Sequence, residues 1–424
     1  MTTVGTQRLR PLMFYKTVSN FRTMYASLKK EFEKELKNVL SFWSTKAIDK
    51  KTGQFFGEID HYGTPEPDAH KGIIMYSRIL WTFAAACRFY QNTDYKEFAD
   101  KARSFIETHF FDKKNGGVYW ETTADGTVVV NKKQVYAEAF TIYAYAEYYL
   151  AFGDKSSLDF AMDLFNKLES ICLDTKNGGY FEAFSETWDK LDDVRLSDKD
   201  LNEPKGMNTN LHVLEAYTTL YEATKDARVG KALKDEILLY LNTIVDKNNH
   251  VTIFFSEDWK PKTTEISYGH DIESTWLIWE AAKMLNDTAL LDKIRPKILA
   301  MVDTFVAEGF DTKTNSTWYE FFPKTGKRDS DRHWWVQIEA VEGLANAFDM
   351  TGKEEYRQLA LKQWNYIREY LIDRVHGEWF WRIDDDGFPV DSEPKMGMWK
   401  CPYHNGRGLM HLIREMEKWE KRNE

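Results

Sequence analysis

The sequence predicts an all-α protein, an (α/α)6 barrel of twelve helices in two rings with short β-hairpins over one end. Three observations predict it. A short motif recurs six times at nearly constant spacing, each recurrence lies between two helical patterns, and the second helix of each pair is the more apolar. Because helices that are apolar on all sides are buried, the second helices are expected to form the inner ring.

The recurring motif is an Asp, a polar loop that often ends in Gly, and then one or more aromatic residues. In the second repeat it reads Asp-Lys-Lys-Asn-Gly-Gly-Val-Tyr-Trp from residue 112 to residue 120. Its aspartates, 62 to 72 residues apart, are Asp49, Asp112, Asp174, Asp246, Asp311 and Asp373. Six units of nearly equal length indicate a repeat architecture.

Each unit has the same internal order of helix, Asp loop, hairpin and second helix. In the last unit, apolar residues from Tyr356 to Leu371 recur at three- and four-residue steps, which is typical of an amphipathic helix. Residues 378–390 then predict a β-hairpin turning at Asp386-Gly387, and residues 403–417 a second helix. Unit two predicts a hairpin turning at Asp125-Gly126 and a helix from about Lys132 to Leu150.

Although 424 residues would allow two or three domains, the repeat predicts one barrel over residues 21–424, preceded by an N-terminal extension at residues 1–20. The formal net charge is −10, and Lys and Arg are scattered along the chain. Nucleic acid and anionic membranes are therefore not expected as partners, and the protein is expected to be a monomer or a weak homodimer.

The three cysteines, Cys87, Cys172 and Cys401, are widely spaced and form no CxxC pair, which favours reduced thiols over a disulfide framework. The N-terminus has no apolar signal region, and no run of 18 apolar residues occurs. These features predict a cytoplasmic protein.

The first turns of the inner helices are expected to point to one end of the barrel and to bring polar and aromatic residues into one pocket. His270 and Glu273 lie three residues apart on one helix face, so the carboxylate is expected to accept one imidazole N–H and leave the other nitrogen free. The candidates are Arg78, Tyr136, Asn208, His212, His270, Glu273, Trp334, Trp335, Gln337, Glu339, Trp399, His404 and Arg407.

A lone histidine on an inner helix is more often a core residue than a catalytic one. Here, however, His212, His270 and His404 fall at equivalent positions in three repeats, which a closed ring brings together. We infer that His270 and His404 face each other and transfer one proton on a sugar. Aromatic residues form 15% of the chain, including 15 Trp, and their flat faces suit pyranose rings.

Neither a metal nor a cofactor is expected. The His-x-x-Glu at 270 and 273 lacks the i, i+4 histidine pair of a metalloprotease helix, and no Cys joins it. The sequence also contains no Gly-rich phosphate loop and no dinucleotide fingerprint.

At these residues the chain resembles the cellobiose 2-epimerases of the N-acylglucosamine 2-epimerase superfamily. The matching segments are Ser77-Arg78, residues 208–212, 269–273, 334–339 and 399–407, and the resemblance covers nearly the whole chain. It implies a cofactor-free enzyme that inverts C2 of the reducing-end sugar in a β-1,4-linked disaccharide such as cellobiose, lactose or mannobiose.

The resemblance also implies a role for each candidate. His270 and His404 would be the acid/base pair, with Glu273 supporting His270 and His212 assisting. Arg78, Tyr136 and Asn208 would bind hydroxyls, and Trp399 with Trp334 or Trp335 would stack on the sugar rings. Trp259 would belong to a mobile loop over the second sugar, and Glu339 and Arg407 are also expected to bind substrate.

Three other functions stay open at this point. An aldose–ketose isomerase acting on mannose would share the fold, the histidines and the enediol. A glycoside hydrolase would need two opposed carboxylates, for which Glu273 and Glu339 are candidates. A sugar-binding protein without activity would need only the aromatic residues. Burying ionisable groups at the barrel mouth costs free energy, and sugar binding alone does not require it.

Overall fold

The computed structural model describes residues 11–422, with side chains from residue 23 to residue 421. Within these residues the α-helices are α1 (Pro11–Thr45), α2 (Ile73–Tyr90), α3 (Lys96–Phe105), α4 (Val135–Phe152), α5 (Lys155–Lys167), α6 (Met207–Thr224), α7 (Ala227–Leu239), α8 (Tyr268–Met284), α9 (Thr288–Glu308), α10 (Trp334–Thr351), α11 (Glu354–Tyr366) and α12 (Tyr403–Arg422). Four of the outer helices continue into a π-helical turn, at Ile106–Phe110, Leu168–Cys172, Tyr240–Ile244 and Ile367–Leu371.

The even-numbered helices form the inner ring. Each packs against the next one, and α12 packs against α2, so that the ring is closed. The odd-numbered helices lie outside, and α1 covers α12, which joins the two ends of the chain. Fifteen consecutive residues of α2, Ile73 to Cys87, are buried, as expected for a helix surrounded on all sides. The predicted (α/α)6 barrel is confirmed.

Short strands connect the repeats around one end of the barrel. They are β1 (Glu58–Ile59), β2 (Pro65–Glu66), β3 (Lys71–Gly72), β4 (Glu121–Thr122), β5 (Val128–Val130), β6 (Lys133–Gln134), β7 (Ala183–Phe184), β8 (Lys205–Gly206), β9 (Phe254–Phe255), β10 (Ile266–Ser267), β11 (Phe310–Asp311), β12 (Ser316–Thr317), β13 (Glu320–Phe322), β14 (Lys327–Asp329), β15 (Arg332–His333) and β16 (Arg382–Ile383). The strand before an inner helix pairs with the hairpin of the next repeat, as in β3 with β4 and β15 with β16. A bridge between Ile59 and Met396 closes the seam between the first and last repeats.

In four of the six repeats, the Asp of the recurring motif pairs with a buried cation just before the following inner helix. In the second repeat, Asp112 Oδ1 accepts the backbone N–H groups of Lys114 and Asn115, and Oδ2 accepts from Lys133 Nζ at 2.9 Å. Burial opposes ionisation here, but these donors hold the pKa of Asp112 below its usual range. The same buried pair recurs as Lys205 with Asp174, Arg332 with Asp311, and Lys395 with Asp373.

One predicted boundary differs from the structure. The helix expected from Lys132 begins at Val135, because Lys133 and Gln134 pair as β6 with β7. Residues 1–10 of the expected N-terminal extension lie outside the described residues, whereas residues 11–20 are part of α1, so the boundary at residue 20 stays a prediction. The hairpin turns expected at Asp125-Gly126 and Asp386-Gly387 are confirmed. Across the described part of the chain, no helix is long and apolar enough to cross a membrane.

Candidate active site

Arg78, Tyr136 and Trp399 lie together at the mouth of the barrel. Arg78 Nη2 donates to the Tyr136 hydroxyl at 2.7 Å, and Nη1 donates to the Trp399 carbonyl at 3.3 Å. The guanidinium stacks 4.3 Å from the centroid of the Phe140 ring. Its Nε is buried without a protein partner, so this cation keeps an unused donor at the pocket.

His212 and Asn208 share the first turns of α6, as their spacing predicts. His212 Nδ1 lies 2.8 Å from Glu215 Oε2, and the imidazole packs edge-on against the Tyr136 ring at 5.0 Å. The side-chain oxygen of Asn208 is buried without a protein partner. His212 therefore lies beside Tyr136.

His270 has a different partner from the predicted one. Its Nδ1 lies 2.8 Å from the Ser267 hydroxyl, whereas Glu273 lies 3.3 Å from Arg407 Nη2 and 4.0 Å from His404 Nδ1. The expected hydrogen bond between His270 and Glu273 is therefore wrong. Side chains on a helix lean toward its N-terminus, so His270 reaches back to the residue before α8, and Glu273 meets α12 instead.

His404 is held by a carboxylate from another inner helix. Its Nδ1 lies 2.6 Å from Glu339 Oε1, which also accepts from Arg407 Nη2 at 2.6 Å. Trp276 Nε1 donates to the second oxygen of Glu339 at 3.0 Å. Because Arg407 and Trp276 both donate to Glu339, this carboxyl group is an acceptor, and with its proton on Nδ1 His404 donates to it and keeps Nε2 free.

Trp335 lies between the two histidines assigned to proton transfer. Its ring centroid is 4.8 Å from that of His270 and 5.7 Å from that of His404. The two imidazoles therefore lie on the same indole ring. Trp334 is buried, with its ring 5.0 Å from that of Trp381 and 6.2 Å, edge-on, from that of His404. One of these two tryptophans was predicted to stack on a sugar ring; both lie beside His404, and Trp335 is the more exposed.

Glu339 and Arg407 were predicted to bind substrate, but the structure places them behind the histidines. Arg407 is almost completely buried and donates to Glu215 at 2.5 Å and to Glu339 at 2.6 Å. It also contacts Glu273 and the Tyr403 hydroxyl. Both terminal nitrogens of the Arg407 guanidinium thus contact carboxylates of other inner helices, and its binding of substrate stays a prediction.

Among the described residues, Glu273, Glu339 and His404 bring ligand atoms within 4.8 Å of one another, a spacing that would suit a metal ion. Arg407 donates to both carboxylates of this group. A positive charge is therefore already present at this point, and the chain itself supplies it.

Trp259 docks on the Asp loop of the preceding repeat. Its Nε1 donates to the carbonyls of Asn177 and Gly178 at 3.0 and 3.1 Å, and Lys205 Nζ lies 4.6 Å from the centroid of its ring. A Cβ on Gly179 would come within 2.4 Å of this ring, so the glycine makes room for it. The contacts of Trp259 thus fix it to the scaffold, whereas the sequence predicted a mobile loop over the second sugar.

Burial keeps the histidines of the site neutral. It lowers the pKa of His270 to about 3, with a further contribution from the charge of His212. Burial and the nearby cations Arg78 and Arg407 hold the pKa of His404 well below its usual range. The pKa of His212 is lowered by burial as well. Near neutral pH all three are therefore free imidazoles, the form that accepts a proton.

Sequence reasoning missed three groups that contact the site residues. Glu215 follows His212 at the same i, i+3 spacing as Glu273 follows His270, so the pattern was available in the sequence. Trp276 and Ser267 gave no separate signal, because a buried Trp and a Ser before a helix are common.

The structure also shows a long loop in the third repeat, residues 185–204 between β7 and β8, that contacts the second repeat. Lys132 Nζ and Gln134 Nε2 hold its Arg195 carbonyl at 2.7 and 2.8 Å. Further along, its Lys199 contributes, after burial and Arg382, to the lowered pKa of His333. The insertion accounts for the longest spacing in the repeat, between Asp174 and Asp246.

Comparison with known proteins identifies relatives over most of the chain. Residues 54–405 match the N-acylglucosamine 2-epimerase (GlcNAc 2-epimerase) family. A cellobiose 2-epimerase from Bacteroides fragilis is 42% identical and aligns over 92% of this chain and 99% of its own. The solved cellobiose 2-epimerase from Bacillus thermoamylovorans B4167 is 34% identical over 92% of this chain and 99% of its own, with a TM-score of 0.87.

More distant relatives share the fold. A D-mannose isomerase from Marinomonas mediterranea is 22% identical over 91% of this chain and 96% of its own. A GH76 α-mannanase from Bacteroides thetaiotaomicron superposes with a TM-score of 0.61 at 14% identity. The match over most of the chain at 42% identity, together with the histidines on the inner helices, confirms the predicted resemblance: the chain belongs to the N-acylglucosamine 2-epimerase family.

Proposed function

We propose that the protein epimerises C2 of the reducing-end sugar of β-1,4-linked disaccharides, without a cofactor. Cellobiose would give 4-O-β-glucosyl-mannose, and lactose or mannobiose would react in the same way. One observation carries the proposal. Two neutral imidazoles, His270 and His404, flank Trp335 in one pocket, and in each the Nδ1 atom is engaged by the protein.

The reaction requires the open-chain aldehyde, in which the proton on C2 is acidified by the carbonyl at C1. One imidazole removes this proton and gives a cis-enediol, and the other returns a proton to the opposite face of C2. A positioned imidazole contributes typically 10²–10⁴-fold to such a step. His404 is well suited as a base, because Glu339 fixes its Nδ1–H and leaves Nε2 unprotonated.

The remaining pocket residues suit a sugar. Arg78 offers its unused Nε–H to the oxygen that becomes negative in the enediolate, and Asn208 offers an unpartnered amide oxygen to a hydroxyl. Trp335 and Trp399 are half-buried, which leaves aromatic surface for the C–H faces of the sugar rings.

The alternatives fit this arrangement less well. A glycoside hydrolase needs carboxyl groups on opposite sides of the scissile bond, but Glu273 and Glu339 lie side by side on Arg407. The mannose isomerase alternative would use the same histidines, yet its relatives are only 22% identical, against 42% for the cellobiose 2-epimerase.

We also propose a reducing, cytoplasmic location and a disaccharide as the small-molecule partner, with no nucleic acid or membrane partner. All three cysteines are buried free thiols, as suits a reducing compartment. A monomer or weak homodimer is proposed, because a single chain supplies all of the residues assigned to the site.

The first test follows cellobiose in D2O by NMR with purified, chelator-treated protein. We expect deuterium at C2 of newly formed glucosyl-mannose, because the proton transferred to C2 exchanges with solvent through imidazole. His270→Asn and His404→Asn should each lower kcat by roughly 10²–10⁴-fold.

His109→Asn is the matched control. His109 contacts the Gly126 carbonyl at 3.1 Å outside the site, so this variant should keep normal activity. Release of glucose would support the hydrolase, and a keto-disaccharide or activity on free mannose would support the isomerase. Cellobiose that stays unlabelled would contradict the epimerase.

A further inference from the structure

Glu378 occupies a backbone conformation that the equivalent positions of two other repeats reserve for glycine. It follows the glycine of the sixth Asp loop and has a φ of +61°. In the second and third repeats this position is Gly117 and Gly179, with φ of +79° and +69°. Non-glycine residues rarely adopt such angles, and they persist where the surrounding structure holds them in place.

The carboxylate of Glu378 joins three elements. Its Oε1 accepts from Lys400 Nζ at 3.0 Å and from Asn405 Nδ2 at 2.6 Å, and its Oε2 accepts from Trp43 Nε1 at 3.0 Å. The side chains of Glu378 and Lys400 are both fully buried. One anion thus ties α1, the segment before α12 and the first turn of α12 together.

This ion pair is additional to the one that the other repeats use. In the sixth repeat, Lys395 pairs with Asp373 in the way that Lys133 pairs with Asp112 in the second. Lys400 is therefore a second lysine, with its own carboxylate. At the loop position of Glu378, the second, third and fifth repeats have Gly117, Gly179 and Ser316, none of which carries a charge.

The two hydrogen bonds to Oε1 anchor residues at and just before the start of α12, where the chain contributes to the site. Trp399 precedes Lys400, and His404 precedes Asn405, so the anchored residues are direct neighbours of pocket residues. We propose that Glu378 is a positioning residue, which sets the location of His404 through Lys400 and Asn405. The inference rests on the proposed function of His404 as one of the acid/base pair.

The test replaces Glu378 with Gln, which keeps the side-chain shape and removes the charge. We expect kcat on cellobiose to fall on the order of 10²-fold, the effect of misplacing a catalytic group by about 1 Å. KM should stay within about threefold, because Arg78, Tyr136 and Asn208 lie on other helices.

A second measurement does not depend on activity. In protein labelled with ¹⁵N-histidine, His404 Nδ1–H bonded to Glu339 and His212 Nδ1–H bonded to Glu215 should each give a low-field proton signal, assigned by the loss of one signal in His404→Asn. In Glu378→Gln the His404 signal should shift or broaden, and the His212 signal should remain.

Asp112→Asn is the matched control, because the Lys133–Asp112 pair is equally buried but belongs to a repeat without an acid/base histidine. It should lower Tm while leaving kcat and the His404 signal unchanged. If Glu378→Gln does not fold, the variant that combines it with Lys400→Met removes both charges and carries the same two measurements.

The proposal is overturned if kcat and the His404 signal are normal in the Glu378 variant, or if Asp112→Asn changes both to the same extent. If the unmodified protein does not epimerise cellobiose, the proposed function fails, and the His404 signal still decides whether Glu378 positions this residue.

Discussion

The three histidines at equivalent positions in the repeats have different partners, and the partner decides what each imidazole can do. Nδ1 of His404 lies beside the Glu339 carboxylate, and Nδ1 of His212 lies beside the Glu215 carboxylate. Nδ1 of His270 instead lies beside the Ser267 hydroxyl. A serine hydroxyl can donate or accept, so His270 is not restricted to one tautomer. The structure therefore pairs one imidazole of fixed tautomer with one that can change, as suits a proton that is taken from one side and returned on the other.

The low pKa values predict an unusual pH dependence. A neutral imidazole acts as base, so activity is lost as pH falls through its pKa, and burial lowers the pKa of His270 to about 3. We expect kcat/KM on cellobiose to stay level from pH 7 down to about 5, below the ordinary histidine value of about 6.5. Measuring kcat/KM across this range checks it, and an acid limb centred near 6.5 would contradict the assignment of buried neutral histidines.

At the scale of elements, two hairpin tips hold their neighbours by a tryptophan. Trp188 and Trp259 have φ of +68° and +61° at turn positions where other hairpins have Gly126 and Gly387. Each indole nitrogen donates to a carbonyl of the preceding Asp loop, and Gly117 or Gly179 makes room for the ring. Packing and one hydrogen bond offset the backbone strain, and the hairpin fixes the adjacent repeat.

This arrangement predicts the effect of changing Trp259. Trp259→Phe keeps one aromatic ring but removes the N–H donor and part of the packed indole, and should lower the free energy of unfolding by about 1–2 kcal/mol. Trp259→Gly loses the packing as well but relieves the strain, so a loss of about 2–3 kcal/mol is expected from denaturant titration.

Both variants should keep kcat and KM on cellobiose, because Trp259 contacts the Asp loop and not the histidines. A raised KM with normal stability would instead return Trp259 to the role predicted from the sequence, over the second sugar.

At the scale of the whole molecule, Arg407 holds the inner ring together on the barrel axis. From α12 it contacts Glu215 on α6, Glu273 on α8, and Glu339 and Glu342 on α10. Burial and the charge of Glu339 raise the pKa of Glu273 well above its ordinary value, so not all of these carboxyl groups are ionised. One guanidinium thus compensates the charge that remains and links four of the six inner helices.

Replacing Arg407 by Met should lower the free energy of unfolding by about 3–5 kcal/mol, because it leaves buried carboxylates without a cation. Their pKa values would rise in the folded state, and a group with a raised folded pKa loses its stabilising contribution as pH rises through that value. The deficit should therefore grow between about pH 5 and pH 8, measured as the difference in Tm from the unmodified protein.

Arg407→Lys, which keeps a positive charge, should show a smaller deficit and a weaker pH slope. If the Tm of the Met variant and the Tm of the unmodified protein change with pH in parallel, the compensating role of Arg407 is contradicted.

The sequence alone predicted the number of repeats, the order of the rings and the three histidines on inner helices. These predictions follow from the period of the recurring motif and from which residues share a helix face. Both are local properties of the sequence. The start of α4 was nevertheless predicted too early, because Lys133 and Gln134 form β6 and pair with a strand of the next repeat.

Only the tertiary structure decided which carboxylate holds which histidine. Glu339 and His404 are 65 residues apart, and Glu215 and Arg407 are 192 apart, so no local pattern relates them. The docking of Trp259 and the contacts of Glu378 likewise depend on how neighbouring repeats meet. Side-chain direction and ring closure set these distances, and both become fixed only when the twelve helices pack.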